Sequence, residues 1–168
     1  MNLHIVLHEP EIPQNTGNIA RTCAAVGARL HLIEPLGFSI SEKAVRRAGL
    51  DYWDSLDLQT YPDLESFLSK VPHGSLFPVS TKAPTCYAEI KYPAETYLLF
   101  GKESRGLPEP LLKRFSKQTV RIPMLHDKRS LNLSNAVAIS AYEVLRQHCF
   151  EGLEEKGCPV TFSWETIL

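Results

Sequence analysis

Thr96-Tyr97-Leu98-Leu99-Phe100-Gly101-Lys102-Glu103-Ser104-Arg105-Gly106-Leu107-Pro108 is the stretch whose reading decides the fold. Thr96–Phe100 is an apolar run of strand length, and it stops at Gly101, where backbone can approach a ligand closely. A polar turn follows, and Pro108–Phe115 reads as a short helix. An apolar strand, a polar turn and a helix in succession make half of a parallel α/β unit.

The same alternation extends outward in both directions. His4–Leu7 reads as a strand, followed by the turn Glu9–Gln14. A helix is expected from Asn15 or Thr16, both good N-caps, to a stop at Gly27. Arg29–Ile33 reads as a strand closed by Pro35. Ser39–Ala48 reads as a helix with a capping box from Ser39 to Glu42 and a stop at Gly49. Leu56–Tyr61, Leu76–Ser80 and Thr119–Pro123 are further strands, Asp63–Lys70 is helical, and Leu133–Phe150 is the longest helix. The pattern predicts one domain over residues 1–150 built on a parallel sheet, and taken alone it draws an open doubly wound α/β fold. Residues 151–168 carry Gly152, Gly157 and Pro159 and read as a loosely attached tail.

Composition supports a single globular unit. The 168 residues are 43% hydrophobic and 22% charged, enough apolar content for a core. No apolar run approaches the roughly 20 residues of a membrane span. The chain opens directly as a strand, without a basic leader, so the expected compartment is the cytoplasm. Cys23, Cys86, Cys149 and Cys158 form no close pair and read as reduced thiols. The six histidines suggest no ligand cluster, and no metal is expected. Net charge is −1, but Lys102–Arg129 holds eight basic residues against three acidic ones. A basic face on a neutral protein suits a phosphate-bearing partner, and a solvated helix face is the equal alternative.

Two other segments gather polar residues where strands end. Asn15-Thr16-Gly17-Asn18-Ile19-Ala20-Arg21 opens a helix whose free N–H groups favour anions. It lacks the G-x-G-x-x-G fingerprint, which opposes a dinucleotide oxidoreductase. Taken alone it is a capped helix with a solvated arginine. Gly101-Lys102 lacks the glycine run and the following Ser or Thr of a phosphate loop. The last segment, Ser130-Leu131-Asn132-Leu133-Ser134-Asn135-Ala136, places four Ser or Asn residues within six positions. That exceeds what one helix cap needs. Apolar leucines interleaved with amides and hydroxyls suit a purine and its ribose.

Together with Arg47-Ala48-Gly49-Leu50-Asp51-Tyr52, Arg121-Ile122-Pro123-Met124 and the opening Ile5–Pro13, these segments resemble the signature motifs of the SPOUT methyltransferases. The chain is most similar to the small bacterial tRNA 2'-O-methyltransferases acting on the wobble nucleotide. The resemblance implies an α/β knot, with a trefoil knot near the C-terminus, that pattern reasoning would not produce. It implies S-adenosylmethionine (SAM) as cofactor, tRNA as substrate and a homodimer. The target it implies is the wobble cytidine or modified uridine of leucine tRNAs. It assigns cofactor binding to Val79, Gly101, Ile122, Ser130 and Leu131, largely through backbone groups. Arg21 and Asn132 take the catalytic positions, and Glu103, Arg105 and Tyr142 the substrate-facing ones. Tyr142 lies about 15 Å along the helix from Asn132 at 1.5 Å per residue, a reach that fits a partner's site better than its own. The alternatives are another tRNA or rRNA position, or a non-catalytic RNA-binding module on the same fold.

Overall fold

The computed structural model describes residues 1–39, 56–72 and 74–161. The Ser39–Ala48 helix past its first residue and the Arg47–Tyr52 motif lie outside them, as does the end of the tail.

Strand β1 (Asn2–His8) is central. Its side chains alternate between faces, so Leu3, Ile5 and Leu7 enter one apolar cluster and Val6 enters the other. A strand buried on both faces reads as a near-continuous apolar run, which is what Leu3–Leu7 supplies. β2 (Arg29–Ile33) and β6 (Glu95–Phe100) flank it in parallel, with Ile5 opposite both Leu30 and Leu98. β3 (Leu58–Tyr61) and β4 (Leu76–Pro78) form the two edges, giving the order β3-β2-β1-β6-β4. The chain steps outward from β1 to β3, crosses to the far edge at β4 and returns beside β1 as β6. That reversal opens a crevice at the C-terminal ends of β1 and β6.

Helices cover both faces. α1 (Pro13–Val26) and α4 (Leu133–Gln147) pack together over one face. α2 (Leu64–Leu68) and α3 (Glu109–Arg114) contribute Phe67 and Leu111 to the cluster on the other. α1 starts at Pro13, earlier than the expected caps Asn15 and Thr16, which lie buried inside its first turns. The reason is local: proline fits the first helical position, because its missing N–H is one that a helix leaves unpaired anyway. The C-cap is as expected, with Gly27 in the left-handed region at φ 68°.

Thr119–Pro123 also differs from expectation. Only β7 (Val120–Arg121) is regular, and it pairs outside the main sheet with β5 (Thr85–Cys86) and, by one bridge, with Val79. The first tail residues are anchored. Phe150 and Leu153 pack on the core, and Glu151 accepts from the Met1 ammonium at 3.0 Å. All four cysteines are free thiols, and burial pushes the Cys23 thiol up to about 12.

The α2 side of the sheet buries a polar chain. His4 Nδ1 and His31 Nε2 are 2.9 Å apart, and His31 Nδ1 lies 3.2 Å from the Tyr61 hydroxyl. Tyr97 stacks on His4 at 3.9 Å, and Glu95 lies 3.8 Å from His4 Nε2. Burial first, then the facing His4 and Arg29, push His31 down from 6.5 to about 3, while Asp57 opposes. His4 is lowered too, chiefly by burial. The unfolded chain therefore binds more protons than the folded one below 6.5, so this stability is present above 6.5 and is lost as pH falls toward about 3. The urea midpoint should fall between pH 7 and pH 4, and His31→Gln, which does not titrate, should fall less steeply. Equal slopes in paired unfolding curves would refute the assignment.

Candidate active site

A cleft of about 450 Å³ opens where β1, β4 and β6 end. Val79 lines it just after β4, Phe100 and Gly101 at the end of β6, and the loop through Leu107 forms one wall. Ile122 and Met124 after β7, and Arg129–Leu133 running into α4, form the opposite wall. The five positions assigned to the cofactor, Val79, Gly101, Ile122, Ser130 and Leu131, thus converge on one cavity. Asn132, Glu103 and Arg105 join them.

Arg21 and Tyr142 stand elsewhere. Arg21 lies on the exposed stripe Gln14-Asn18-Arg21-Ala25 of α1. Tyr142 is 50% exposed on the stripe Asn135-Ile139-Tyr142-Arg146 of α4. Both spacings, i, i+4, i+7 and i+11, trace one side of a helix. α1 and α4 pack against each other, and each turns one such stripe to solvent.

Gly101 is needed for a reason the sequence did not reveal. A Cβ there would lie 2.1 Å from the Gly106 carbonyl carbon and 2.3 Å from the Leu107 nitrogen. The loop folds back on itself, with Gly106 N–H donating to the Lys102 carbonyl at 2.7 Å and Gly106 at φ 69°. The close approach that excludes a side chain is made by the loop's own return and does not depend on a ligand.

The loop is locked to the β1–α1 turn. Glu103 accepts from Glu11 N–H at 2.9 Å, Ile12 N–H at 3.3 Å and Asn15 Nδ2 at 2.9 Å, placing a carboxylate at the α1 N-terminus. In return, Glu11 accepts from the Ser104 N–H and hydroxyl, which hold its carboxyl below the usual range. Glu9, at φ 50°, pairs with Lys102. Across the cleft, Asn132 caps α4 by accepting from Ser134 N–H and Asn135 N–H, while its Nδ2 donates to Asn15 Oδ1 at 3.0 Å. Glu103 and Asn132, read from sequence as substrate-facing and catalytic, thus both take part in holding the walls.

Sequence reasoning missed Asn15, Lys82 and Arg129. Asn15 had a signal: it shares the buried side of α1 with Ile19, Cys23 and Val26, and a polar residue at a core position requires partners. The cleft lining holds Lys82, Lys102, Arg105 and Arg129 against the single carboxylate Glu103. Lys82 pairs with Glu109 at 2.6 Å, whereas exposed Arg105 and Arg129 have no ion pair among the described residues. A cation-rich mouth attracts a polyanion. Among the described residues no cluster of His, Cys, Asp or Glu is fit to hold a metal ion, and no helix is long and apolar enough to cross a membrane.

Gly101→Ala should cost about 3 kcal/mol of unfolding free energy, since backbone must move to admit one methyl. Gly106→Ala should cost about 1–2 kcal/mol for its left-handed conformation alone. A Gly101→Ala protein with an unchanged urea midpoint would show that the loop tolerates the side chain.

The family model described as the SpoU rRNA Methylase family matches residues 2–142. The tRNA (cytidine(34)-2'-O)-methyltransferase of Aeromonas hydrophila is 49% identical over 151 residues, 89% of this chain and 97% of that protein. The Escherichia coli K12 protein of the same name is 47% identical, covering 89% and 96%. A solved structure described by the 2-OH methylation of C/U34 on tRNA superposes with a TM-score of 0.83 at 49% identity, covering 89% of this chain and 97% of that one. The SpoU methyltransferase AviRb from Streptomyces viridochromogenes, in complex with AdoMet, gives 0.76 at 26% identity, with coverages of 88% and 58%. With the match running from β1 into α4 and half-identical relatives along most of its length, this chain belongs to the SpoU methylase family.

Proposed function

We propose that this protein methylates the ribose 2'-hydroxyl of nucleotide 34 in tRNA, using SAM. The observation that carries the reading is the convergence of Val79, Gly101, Ile122, Ser130 and Leu131 on one cleft at the C-terminal edge of a parallel sheet. The lining fits the cofactor: Val79, Ile122, Leu131 and Leu133 offer apolar contact for a purine, and Ser130 offers hydrogen bonds. The volume falls in the range of small-molecule sites. When bound, SAM supplies a methyl group on a sulfonium centre.

The chain's own residues align and stabilise. Arg105 and Arg129 at the mouth hold RNA phosphates. A guanidinium stays protonated in proteins, so Arg21 serves to stabilise the developing negative charge on the ribose oxygen or to grip the adjacent phosphate. It lies off the cleft of its own subunit, which supports a homodimer in which the partner's α1 presents Arg21 and α4 presents Tyr142. Exposed Ile139, at 38%, gives that surface apolar area. The resemblance also supports a C-terminal knot. β7 pairs beyond β4 through the Val79–Val120 bridge, and α4 then returns across β1 and β6. The expected compartment is the cytoplasm, where tRNA is processed.

Incubation with SAM and tRNA lacking the modification should make the bond 3' to nucleotide 34 resistant to alkaline cleavage. Methylation mapped to another position or to a base would overturn the reading. Arg21→Ala should lower kcat about 100-fold or more while melting temperature and SAM affinity stay near wild type.

A mixed dimer tests the shared site. One subunit carries Arg21→Ala and the other Leu131→Trp, which fills the cleft. If Arg21 acts in the partner's cleft, one intact site remains and the dimer keeps about half the wild-type rate, as symmetry requires. No activity in the mixed dimer, or full activity of a sedimenting monomer, would exclude it.

A further inference from the structure

Asn15 is 6% exposed and stands between the two walls of the cleft. Its Nδ2 donates to Glu103 Oε1 at 2.9 Å, and its Oδ1 accepts from Asn132 Nδ2 at 3.0 Å. Both neighbours are already engaged, Glu103 by the N–H groups of Glu11 and Ile12, and Asn132 by the start of α4. An amide donates from one end and accepts at the other, so these partners fix its orientation. The result is a continuous chain from α4, through Asn132 and Asn15, to Glu103 on the opposite loop.

We propose that Asn15 is a positioning residue that sets the separation of the cleft walls, and through it the affinity for SAM. The proposal rests on reading the cleft as the SAM site. Asn15 lies on α1 and itself borders the cleft between the two walls, and it acts through Glu103 and Asn132.

The polarity of the chain gives the proposal a signature. The substitution Asn15→Asp keeps the acceptor for Asn132 but sets a second carboxylate against Glu103. The charged groups around the pair offer no relief. On the β1–α1 turn, Glu11 is held by Ser104, and Glu9 occupies Lys102. Arg105 on the loop and Arg129 before α4 are exposed at the mouth, and the nearest α4 side chains, Asn132 and Ser134, are neutral. Two facing carboxylates share a proton as pH falls, because both cannot stay ionised at contact without repulsion. A shared proton rebuilds the bond between positions 15 and 103.

The experiment is calorimetric titration of SAM into wild type, Asn15→Asp, and the double variant that combines Asn15→Asp with Glu103→Gln. Each is titrated at pH 8 and pH 6, with melting curves alongside. At pH 8, Asn15→Asp should bind SAM about tenfold more weakly than wild type, and the gap should narrow at pH 6. The double variant exchanges donor and acceptor, with the new amide at position 103 donating to the new carboxylate at position 15. It should return to within about threefold of wild type at pH 8. A merely structural defect would be independent of pH and would not be repaired by Glu103→Gln. Affinity within twofold of wild type in Asn15→Asp at pH 8 would overturn the proposal, as would an equal deficit at both pH values with no rescue. Should Asn15→Asp not fold at pH 8, Asn15→Ala takes its place, with weaker SAM binding by a ratio independent of pH expected and unchanged affinity overturning the proposal. Wild type that binds no SAM would instead defeat the reading of the cleft.

Discussion

Two adjacent parallel strands, β1 and β6, end at the same edge, and what they leave there must be satisfied. The strand ends and the α1 N-terminus present N–H groups that regular structure does not pair. Glu103, on the adjoining loop after β6, meets them, taking the N–H groups of Glu11 and Ile12. Glu11 answers by binding the Ser104 N–H. This reciprocal exchange holds the loop against the turn, and Asn15 carries it to α4. The cleft is the space left between elements fixed for their own hydrogen-bonding reasons.

That arrangement separates two tasks often assigned to one residue. Glu103 and Asn132 line the cavity, yet most of their side-chain bonding capacity goes to neighbouring elements. The groups left for ligands are backbone edges, apolar side chains and the cations at the mouth. Tight hydrogen-bonded walls around a mostly apolar slot are what precise alignment of two reactants asks for, since small displacements of a reacting atom are costly.

Much of the scaffold was legible. β2 runs over Arg29–Ile33 as the apolar pattern indicates, and β1 and β6 lie within two residues of their expected ends. These are central strands, where a run buried on both faces leaves a clear signal. At α1, Pro13 is the local signal for the start, while the distant cap, a Glu103 carboxylate 91 residues from Ile12, left no mark in the local sequence. β7 falls inside the expected Thr119–Pro123 but is shorter, because its partner, β5, is only a two-residue strand. In the site, motif resemblance pointed to Val79, Gly101, Ile122, Ser130 and Leu131, whose side chains carry no chemical mark, and the structure gathers them around one cleft. The same resemblance placed Arg21 and Tyr142 near the chemistry, while one subunit's geometry keeps them outside its cleft. Arg129 was hidden in a basic run that reads equally well as solvated surface.

The bonds that define the cleft also join residues very far apart along the chain. Glu103 reaches Asn15 across 88 positions, and Asn132 reaches it across 117. Such closures cost loop entropy before they return anything, and they wait for the later partner to exist. During synthesis, β1, α1 and β2 emerge early with an incomplete edge and no cavity. The pocket comes into being only after the start of α4 has left the ribosome and packed against α1. A polypeptide released early would therefore carry the first motif intact and still lack a ligand site.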